Sequence, residues 1–440
     1  MNSKSFCHKV AELEQNGTLL VQDGNHGEYR PRQHEFGNGK TAFIRASNLD
    51  QGRVFFESSD HINDVASNRI RKGIGQGGDI IFSHKGTVGK LALTPLDAPP
   101  FVCSPQTTFW RTLNENAIDR RYLYYFMQSE EFVNQWSSRK GETDMADYVS
   151  LTAQRELHIR LPHINVQRVI ARILGALDEK IELNHQMNHT LEAMAQAIFN
   201  SWFVDFDPVT AKADGRKPYG MNDEVAALFP AHFVGSRLGP IPESWNIKSL
   251  DEIADFLNGL ALQNYPAEND EYLPVIKITE LKSGVTEKSD KASTDIPPEY
   301  IIDNGDVIFS WSGSLEVVIW CDGQGALNQH LFKVTSKNYP KWFYYFWLLY
   351  HLPDFREIAS GKATTMGHIR RHDLTDAKVI CVDDKIIKVA DGIISPLIQK
   401  VIENKIQNHT LASIRDTLLP KLLSGEIRIR QAEKLVSKVA

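Results

Sequence analysis

Three short patterns in the chain contain residue types that could do chemistry, and each lacks a part that the chemistry needs. Asp205–Pro208 (DFDP) approaches the Asn/Asp-Pro-Pro-aromatic loop used in amino methyl transfer but lacks the second proline and the aromatic residue. Gly37–Thr41 (GNGKT) resembles the end of a phosphate-binding loop, yet His34 stands where that motif requires glycine. His368 and His372 have the i, i+4 spacing of zinc ligands without an acid between them or a third ligand at a suitable distance. The sequence therefore predicts a non-enzyme without a nucleotide, cofactor or metal site.

Arginine, lysine and amide side chains in two sets of loops could instead bind DNA. Arg and Lys suit guanine O6/N7 and phosphates, whereas Asn and Gln suit adenine N6/N7. In the first half of the chain, the candidate DNA-binding residues are Lys40, Arg45, His84, Lys85, Lys90, Gln106, Arg139, Lys140 and Thr143. In the second half, they are Lys277, Trp311, Asn328, Gln329, His330, Lys362, Thr364, Thr365, Arg370 and Arg371. For any single one of these residues, a solvated surface position is the alternative interpretation.

The composition is that of a globular protein. The chain has 440 residues, 42% of them hydrophobic and 24% charged, and this length suits two to four domains. The longest apolar run, Trp342–Tyr350, is about half as long as a bilayer-spanning helix. The four cysteines are scattered and the first residues contain no continuous apolar run, so a cytoplasmic protein without a secretory signal is expected. Because the net charge is −6, any DNA contact must rely on local basic surfaces or on a partner.

The candidate residues lie in two halves that repeat one another. GDIIFS at Gly78–Ser83 matches GDVIFS at Gly305–Ser310, and YLYYFM at Tyr122–Met127 matches WFYYFW at Trp342–Trp347. Two copies so far apart predict duplicated domains rather than a solenoid, whose periods are roughly 20–50 residues. Each half is expected to be a mixed α/β domain, because GD[IV]IFS is typical of a turn followed by a buried strand and the aromatic segments are typical of buried helices.

Asp79 and Asp306 occupy equivalent places in this repeat. An aspartate before a strand is usually a turn former rather than a catalytic residue. No Ser/His/Asp arrangement or pair of carboxylates stands out from the background elsewhere.

Two long helices with matching polar positions are predicted after the domains. Apolar residues recur at alternating three- and four-residue spacing from Val166 to Ile198 and again from Ile394 to Leu418, a pattern that favours a coiled coil. Two separate core helices are the alternative. The motif NHTL occurs in both segments, 408 − 188 = 220 residues apart. In an antiparallel pair, the residues expected to meet near the middle and fix the register are Asn184, Asn188, Asn404 and Asn408.

The predicted organisation follows from these elements. A linker with a short helix near Asn222–Leu228 is expected where proline and glycine are dense, and the basic tail is expected to be a strand or loop with a frayed helix. The segments are a first globular domain (1–160), a first long helix (161–206), a linker (207–244), a second globular domain (245–385), a second long helix (386–424) and a C-terminal tail (425–440).

Four segments carry a resemblance to a known family. They are Leu161–Phe206, Gly239–Ile253 (which begins GPIPESW), NGDVIFS at Asn304–Ser310, and Leu411–Ile427, which ends in LPKLLSGEI. These segments are similar to those of the DNA specificity subunits of type I restriction-modification systems, and the resemblance covers nearly the whole chain. The first domain departs from the pattern because it lacks a copy of GPIPESW.

The resemblance implies a non-catalytic subunit that recognises an asymmetric, bipartite site in double-stranded DNA with a non-specific gap. Each globular domain would be a target recognition domain, and the antiparallel coiled coil would set the gap. Two modification subunits, which carry S-adenosylmethionine and the adenine-N6 methyltransferase loop, would clamp the helices, and restriction subunits with ATP-driven translocation and a nuclease would join them. The residues expected to bind partners are Trp202, Phe203, Phe206, Leu418, Leu419 and Leu422, with core packing as the alternative.

Two other functions remain as alternatives at this point. A single-chain DNA methyltransferase or restriction enzyme would need a cofactor loop and a catalytic motif. A purely structural coiled-coil scaffold would bind DNA without a sequence preference.

Overall fold

The computed structural model describes residues 6–143, 146–268, 270–361 and 367–437. The chain divides into two compact units, the first formed by residues 1–180 and 411–440 and the second by residues 181–410. Each unit contains one globular domain of helices and strands and a part of each of two long helices. The predicted fold class, two mixed α/β domains with two long helices, is confirmed.

Helices and strands are numbered in chain order. Those up to the end of the first long helix are β1 (Phe6–Lys9), α1 (Val10–Gln15), β2 (Leu19–Asp23), β3 (Phe36–Ile44), β4 (Leu49–Asp50), β5 (Arg53–Val54), β6 (Asp60–Ile62), α2 (Asp64–Arg69), β7 (Ile74–Gly75), β8 (Ile80–Ser83), β9 (Leu91–Leu93), β10 (Phe101–Cys103), β11 (Thr107–Thr112), α3 (Arg120–Gln128), α4 (Glu130–Ser137), β12 (Gly141–Thr143), β13 (Ala146–Tyr148), α5 (Leu151–Arg155), β14 (His158–Leu161) and α6 (Ile164–Phe199).

The elements after α6 complete the second unit and return to the first. They are α7 (Asp207–Ala213), α8 (Asp223–Leu228), β15 (Phe233–Ser236), β16 (Gly239–Pro242), β17 (Asn246–Ser249), α9 (Leu250–Ile253), β18 (Asp255–Asn258), β19 (Leu273–Ile276), α10 (Ile278–Ser283), β20 (Lys291–Ala292), β21 (Ile301–Ile302), β22 (Val307–Ser310), β23 (Val317–Ile319), β24 (Gly325–Leu327), β25 (Leu331–Thr335), α11 (Lys341–Ser360), α12 (Arg371–Asp376), β26 (Lys378–Cys381), α13 (Asp384–Ser424) and α14 (Ile429–Val436).

Two four-stranded sheets form the frame of the first domain, with the strand orders β2-β11-β8-β9 and β6-β3-β10-β7. The strand of the GDIIFS motif, β8, pairs antiparallel with both β9 and β11. Ile80, Ile81 and Phe82 are fully buried in it. A short apolar run is therefore a central strand here, as expected when both faces of a strand are covered.

The second domain repeats this topology. Its sheets have the orders β18-β25-β22-β23 and β20-β19-β24-β21. The GDVIFS strand, β22, again lies between two antiparallel neighbours, and the parallel pair β3–β10 of the first domain has its counterpart in β19–β24. The repeated motifs thus mark structurally equivalent strands.

The aspartate that begins each of these motifs forms an ion pair inside its domain. Asp79 is fully buried, and its two carboxylate oxygens each accept a 2.7 Å hydrogen bond from the Arg111 guanidinium. Burial raises the pKa of Asp79, and the Arg111 charge opposes that shift. Asp306 pairs with Lys333 at 2.8 Å. Both aspartates also accept a backbone N–H three residues upstream, from Gln76 and Asp303, so they hold the turn before the strand.

In the second unit the two long helices run antiparallel and share a buried polar layer. Asn184 donates to the Asn408 side-chain oxygen at 2.8 Å, and Asn404 donates to that of Asn188 at 2.8 Å. Residue numbers on α13 fall as those on α6 rise, which confirms the predicted antiparallel pairing. All four asparagines are at least nine-tenths buried.

In the first unit the contact between these helices includes charges. Arg415 of α13 donates to Asp178 of α6 at 2.7 Å, and the Tyr125 hydroxyl of α3 donates to the other Asp178 oxygen at 2.5 Å. Arg172 of α6 pairs with Glu433 of α14 at 3.2 Å. One carboxylate therefore ties the first domain to both helices within this unit.

The linker segment is folded against the second domain. A π-helical turn (Asn200–Val204) ends the first long helix, and α7, α8 and the β15–β16 hairpin follow it. Helix α8 lies where a short helix was expected. Phe229 and Trp245 are buried in the core of the second unit, and the Trp202 ring lies edge-on to Phe229 at 5.2 Å. The C-terminal tail contains a helix, α14, where a strand or loop with a frayed helix was expected.

The aromatic run of the second half lies in α11. Trp342, Phe343 and Trp347 are buried there, and Pro353 lies inside the helix. In the described parts of the chain, no helix combines the length and hydropathy needed to cross a bilayer.

Candidate nucleic-acid interface

The loop that follows β8 carries the densest group of candidates in the first domain. Lys85 is exposed, and its Nζ lies 5.9 Å from the centroid of the Tyr148 ring. His84 is buried, with its ring 5.3 Å from that of Tyr148. The Lys90 ammonium donates to the Leu49 carbonyl oxygen at 2.8 Å. Of these three basic side chains, Lys85 is therefore the one most accessible to a ligand.

Further candidates of the first domain lie on the β10–β11 turn and after α4. Gln106 and Arg139 are exposed. Lys140 is half-buried and forms an ion pair with Asp147 at 2.7 Å. Thr143 ends β12. Gln106 and Arg139 are thus accessible to a ligand, and Arg139 Nη1 also donates to the Gln135 carbonyl oxygen at 2.8 Å.

Two candidates occupy equivalent positions after β3 and β19. Arg45 forms an ion pair with Asp60 of β6, and Lys277 forms the corresponding pair with Asp290. All four side chains are more than a third exposed, so these pairs contribute little to stability and can open for a phosphate. Lys40, on β3 itself, is exposed.

The second-domain candidates cluster where β22 and β24 end. The rings of Trp311 and His330 lie 5.9 Å apart, and His330 Nδ1 is 3.0 Å from the Ser312 hydroxyl. Asn328 is buried, and its side-chain oxygen accepts the His330 backbone N–H at 3.2 Å. Gln329 is half-buried on the same turn. This arrangement presents an indole and an imidazole at the positions that His84 and Gln106 occupy in the first domain.

The last candidates lie near α12. Arg370 and Arg371 are exposed, and the Arg371 guanidinium lies 5.9 Å from the centroid of the Phe332 ring. The remaining predicted residues, Lys362, Thr364 and Thr365, lie outside the described residues.

The structure brings a further pair of residues to these surfaces that the sequence did not single out. Asp23 ends β2 and Asn258 ends β18, and each is followed by a glycine. A Cβ on Gly24 would lie 1.8 Å from the Ser104 carbonyl oxygen, and one on Gly259 would lie 2.2 Å from that of Asn328. Asp23-Gly24 and Asn258-Gly259 are therefore equivalent. Their one sequence signal is this glycine, which the close approach of the backbone requires.

The two equivalent positions have different surroundings. In the second domain, the Trp311 indole N–H donates to the Asn258 side-chain oxygen at 2.9 Å. In the first domain, His84 takes the place of Trp311, and its Nδ1 lies 3.2 Å from the Val149 carbonyl oxygen. Burial lowers the pKa of His84, while the nearby Asp23 charge opposes that shift. Burial thus disfavours the charged form of the His84 imidazole.

The residues predicted to bind partner subunits are largely inside the chain's own core. Trp202 and Phe203 belong to the main apolar cluster of the second unit. Phe206 is half-buried and has a left-handed backbone, with φ of 57°. The remaining three predicted residues are buried on α13, namely Leu418, Leu419 and Leu422. Phe206 thus exposes more of its ring than the other five.

Within the described ranges, no group of three or more His, Cys, Asp or Glu side chains is arranged to hold a metal ion.

Comparison with known proteins identifies a family. The family model described as the type I restriction modification DNA specificity domain matches residues 25–193 and 242–414. These two matches cover most of the chain, with one match on each half of the repeat.

Curated relatives and one solved structure agree with this match. The MjaIX type I restriction enzyme specificity subunit of Methanocaldococcus jannaschii is 26% identical over 367 residues, which is 79% of each chain. The HindI specificity subunit of Haemophilus influenzae is 26% identical over 441 residues, 88% of this chain and 94% of the relative. A crystal structure of a type I restriction-modification S subunit from M. genitalium superposes with a TM-score of 0.55 at 16% identity and covers 96% of both chains, a likeness of fold.

Proposed function

Because the chain belongs to the family of type I restriction-modification DNA specificity proteins, we propose that its two globular domains each recognise one half of an asymmetric, bipartite site in double-stranded DNA. The first recognition domain is residues 1–160 and the second is residues 245–385. The site has a non-specific gap between its halves. The chain supplies recognition, and its partners supply the chemistry.

The observation that carries this proposal is one fold present twice with different polar side chains at equivalent loop positions. Ser83 pairs with Thr107 in the first domain and Ser310 pairs with Leu331 in the second, so the loops on both sides of these strands correspond. By this register His84 corresponds to Trp311, and Gln106 to His330. Side chains with different donors and acceptors at the same place favour different bases. We therefore expect the two half-sites to differ in sequence.

The long helices are proposed to set the separation between the half-sites. The asparagine layer supports this role, because the two hydrogen bonds between its members form in one register of the helices and are lost in others. In the second unit, a shift of one turn would separate Asn184 from Asn408 and Asn188 from Asn404, which lie within 2.8 Å of their partners' oxygens. The helix pair would then act as a spacer of constant length.

The proposed partners are two modification subunits, which carry methyl transfer, and restriction subunits. The net charge of −6 supports partners that share the phosphate contacts, since DNA binding through charge alone needs an excess of cations. The outer faces of the long helices are the proposed docking surface, with Phe206 the most accessible of the aromatic candidates. Trp202 and Phe203 would support that surface from inside the core.

An exchange of recognition domains tests the assignment. Residues 1–160 are replaced by the first domain of another family member, the chimera is expressed with its modification subunits, and methylated adenines are mapped across the host genome. One half of the methylated sequence should change while the other half stays the same. The matched control exchanges residues 245–385 and should change the opposite half. A change in both halves from one exchange, or in neither, would contradict the proposal.

An insertion tests the spacer separately. Four residues, about one helical turn, are inserted on α6 near Asn184, together with four at the matching place on α13. Both half-sites should keep their sequence, and the gap between them should change in length. An unaltered gap in an assembled, active complex would show that the helices do not determine it.

A further inference from the structure

The strand ends that carry Asp23 and Asn258 differ in one chemical respect. In the second domain the Asn258 oxygen is occupied, since Trp311 donates to it at 2.9 Å. In the first domain the corresponding acceptor, Asp23 Oδ1, is buried without a hydrogen-bond partner among the described residues. A buried acceptor without a donor is destabilising. The acceptor oxygen at this position thus has a donor in the second domain and none among the described residues in the first.

A further acceptor beside Asp23 is also unsatisfied. The Asn25 side-chain oxygen is buried and has no partner in the described part of the chain, and Asn25 is 1% exposed. The nearby His84 ring is buried and hydrogen-bonds to the backbone of Val149 and Pro105. This corner of the domain therefore contains two acceptors, on Asp23 and Asn25, that lack donors among the described residues.

The corner opens to solvent through Asp23. About a quarter of the Asp23 side chain is exposed, and its Oδ2 lies 3.8 Å from Nε2 of the half-exposed His26. Lys85, which is exposed, directly follows His84 in the loop after β8. A negatively charged group that faces DNA needs cations close by, and Lys85 is placed to supply positive charge to the adjoining phosphates.

We propose that Asp23 determines specificity by accepting, at the exposed side of its carboxylate, a hydrogen bond from an exocyclic amino group, cytosine N4 or adenine N6, in the major groove of the half-site that the first domain recognises. This inference rests on the proposed function. A carboxylate has no donor, so it accepts from an amino group and repels the acceptors guanine O6, guanine N7 and thymine O4. Asp23 therefore selects both by attraction and by exclusion. The equivalent place in the second domain is different, because Asn258 carries no charge and its oxygen already accepts from Trp311.

Asp23→Asn and Asp23→Ala variants test the proposal in the assembled complex with its modification subunits. In genome-wide maps of methylated adenine, the wild-type motif should show an amino-bearing base at one position of the first half-site. In Asp23→Ala, the preference at that position should fall by about tenfold or more, since one good base contact contributes about 1–3 kcal/mol of discrimination. Asp23→Asn keeps an acceptor and gains a donor, so bases that present acceptors should become tolerated at that position. All other positions, and the entire second half-site, should keep their preferences. Asp97→Asn, which removes an exposed carboxylate of the same domain, is the matched control and should leave the motif unchanged.

Modified duplexes identify the amino group. At the affected position, adenine is replaced by purine without N6, or cytosine by 2-pyrimidinone without N4. Methylation by the wild-type complex should fall about tenfold or more for one of these analogues, and methylation by Asp23→Ala should not respond to either.

Several results would overturn the inference. One is an unchanged motif in both Asp23 variants, and another is a change confined to the second half-site. A third is equal weakening at every position, which would assign Asp23 to the stability of the domain. If domain exchange alters both halves or neither, the proposed function fails instead, and that result is independent of the Asp23 variants.

Discussion

In the first domain, Asp79, which precedes the central strand β8, is fully buried against Arg111. In the second domain, the equivalent Asp306 keeps about a quarter of its side chain exposed beside Lys333. The ends of β2 and β18 differ in another way. Asp23 lacks a hydrogen-bond partner for Oδ1 among the described residues, whereas Asn258 is bonded to Trp311. The aspartate before the central strand is thus paired in both copies, whereas the strand-end position has an unsatisfied buried oxygen in the first copy.

The comparison separates two kinds of polar position. The ion pair before the central strand is kept in both domains with a different cation, because an aspartate at that turn needs a counter-charge wherever it is buried. The strand-end position changes its chemistry completely between the domains. A duplicated frame with divergent strand ends is what recognition of two different half-sites requires.

The largest effect is expected from the buried ion pair. Arg111→Ala leaves the Asp79 carboxylate buried without its counter-charge, which should lower the free energy of unfolding by about 3–5 kcal/mol. The matched change, Lys333→Ala, should cost about 1 kcal/mol or less, because its partner Asp306 is partly solvated. Denaturant unfolding of each variant measures the difference. Equal losses would show that the two pairs are energetically alike.

A smaller effect is expected in the asparagine layer of the second unit. Asn184→Ala removes the donor to Asn408 and leaves a buried side-chain oxygen unsatisfied, which should cost about 1–3 kcal/mol. Gln186→Ala, at an exposed position of the same helix, should change stability by less than about 0.5 kcal/mol. Both values follow from denaturant midpoints. If the two substitutions cost the same, the layer does not stabilise the helix pair.

Substitutions at the ends of β18 and β2 should differ in their effect on stability. Asn258→Ala removes the acceptor of the Trp311 indole N–H and should cost about 0.5–1.5 kcal/mol. Asp23→Asn should change stability by less than about 0.5 kcal/mol, since Oδ1 loses no partner among the described residues. Thermal unfolding of the two variants tests this. A large loss from Asp23→Asn would mean that Asp23 serves the fold.

The smallest effect concerns pH. Hydrogen bonds from Arg69, and from the Arg32 backbone, lower the pKa of Glu35 to about 2 from its model-compound value of 4.5. A carboxyl whose pKa is lower in the folded state stabilises the fold above pH 4.5, and this contribution is lost as the pH falls towards 2. The difference in melting temperature between wild type and Glu35→Gln should therefore be constant near neutral pH and shrink below pH 4.5. A difference that does not vary with pH would exclude this contribution.

Much of the frame could be predicted from residues close together in the chain. The apolar run of Ile80–Phe82 predicted a buried strand, and the spacing of apolar residues around Asn188 and Asn408 predicted two long helices. A short apolar run, a helical period and a repeated motif are local properties, so they are visible without the fold. The linker was predicted in the same way, from its dense proline and glycine, and the short helix expected near Asn222–Leu228 is α8.

The fine structure of the candidate surfaces could not be predicted in this way. His84 and Lys85 are neighbours of similar character in the sequence, yet one is buried and the other exposed. Trp202 and Phe203 suit an exposed docking surface as well as a core, and only the position of Phe229 and Trp245 placed the two rings inside. The role of the predicted DNA-binding residues stays a prediction.

The sequence by itself determined that this protein is a duplicated α/β chain with two long, polar-centred helices, because those features depend on periods of two to four residues and on identity between its halves. Only the tertiary structure decided which side chains share a strand end. Asp23 and His84 are 61 residues apart, and Asn258 and Trp311 are 53 apart, as 84 − 23 and 311 − 258. Contacts over such distances depend on sheet register, which brings strands from separate parts of the chain together.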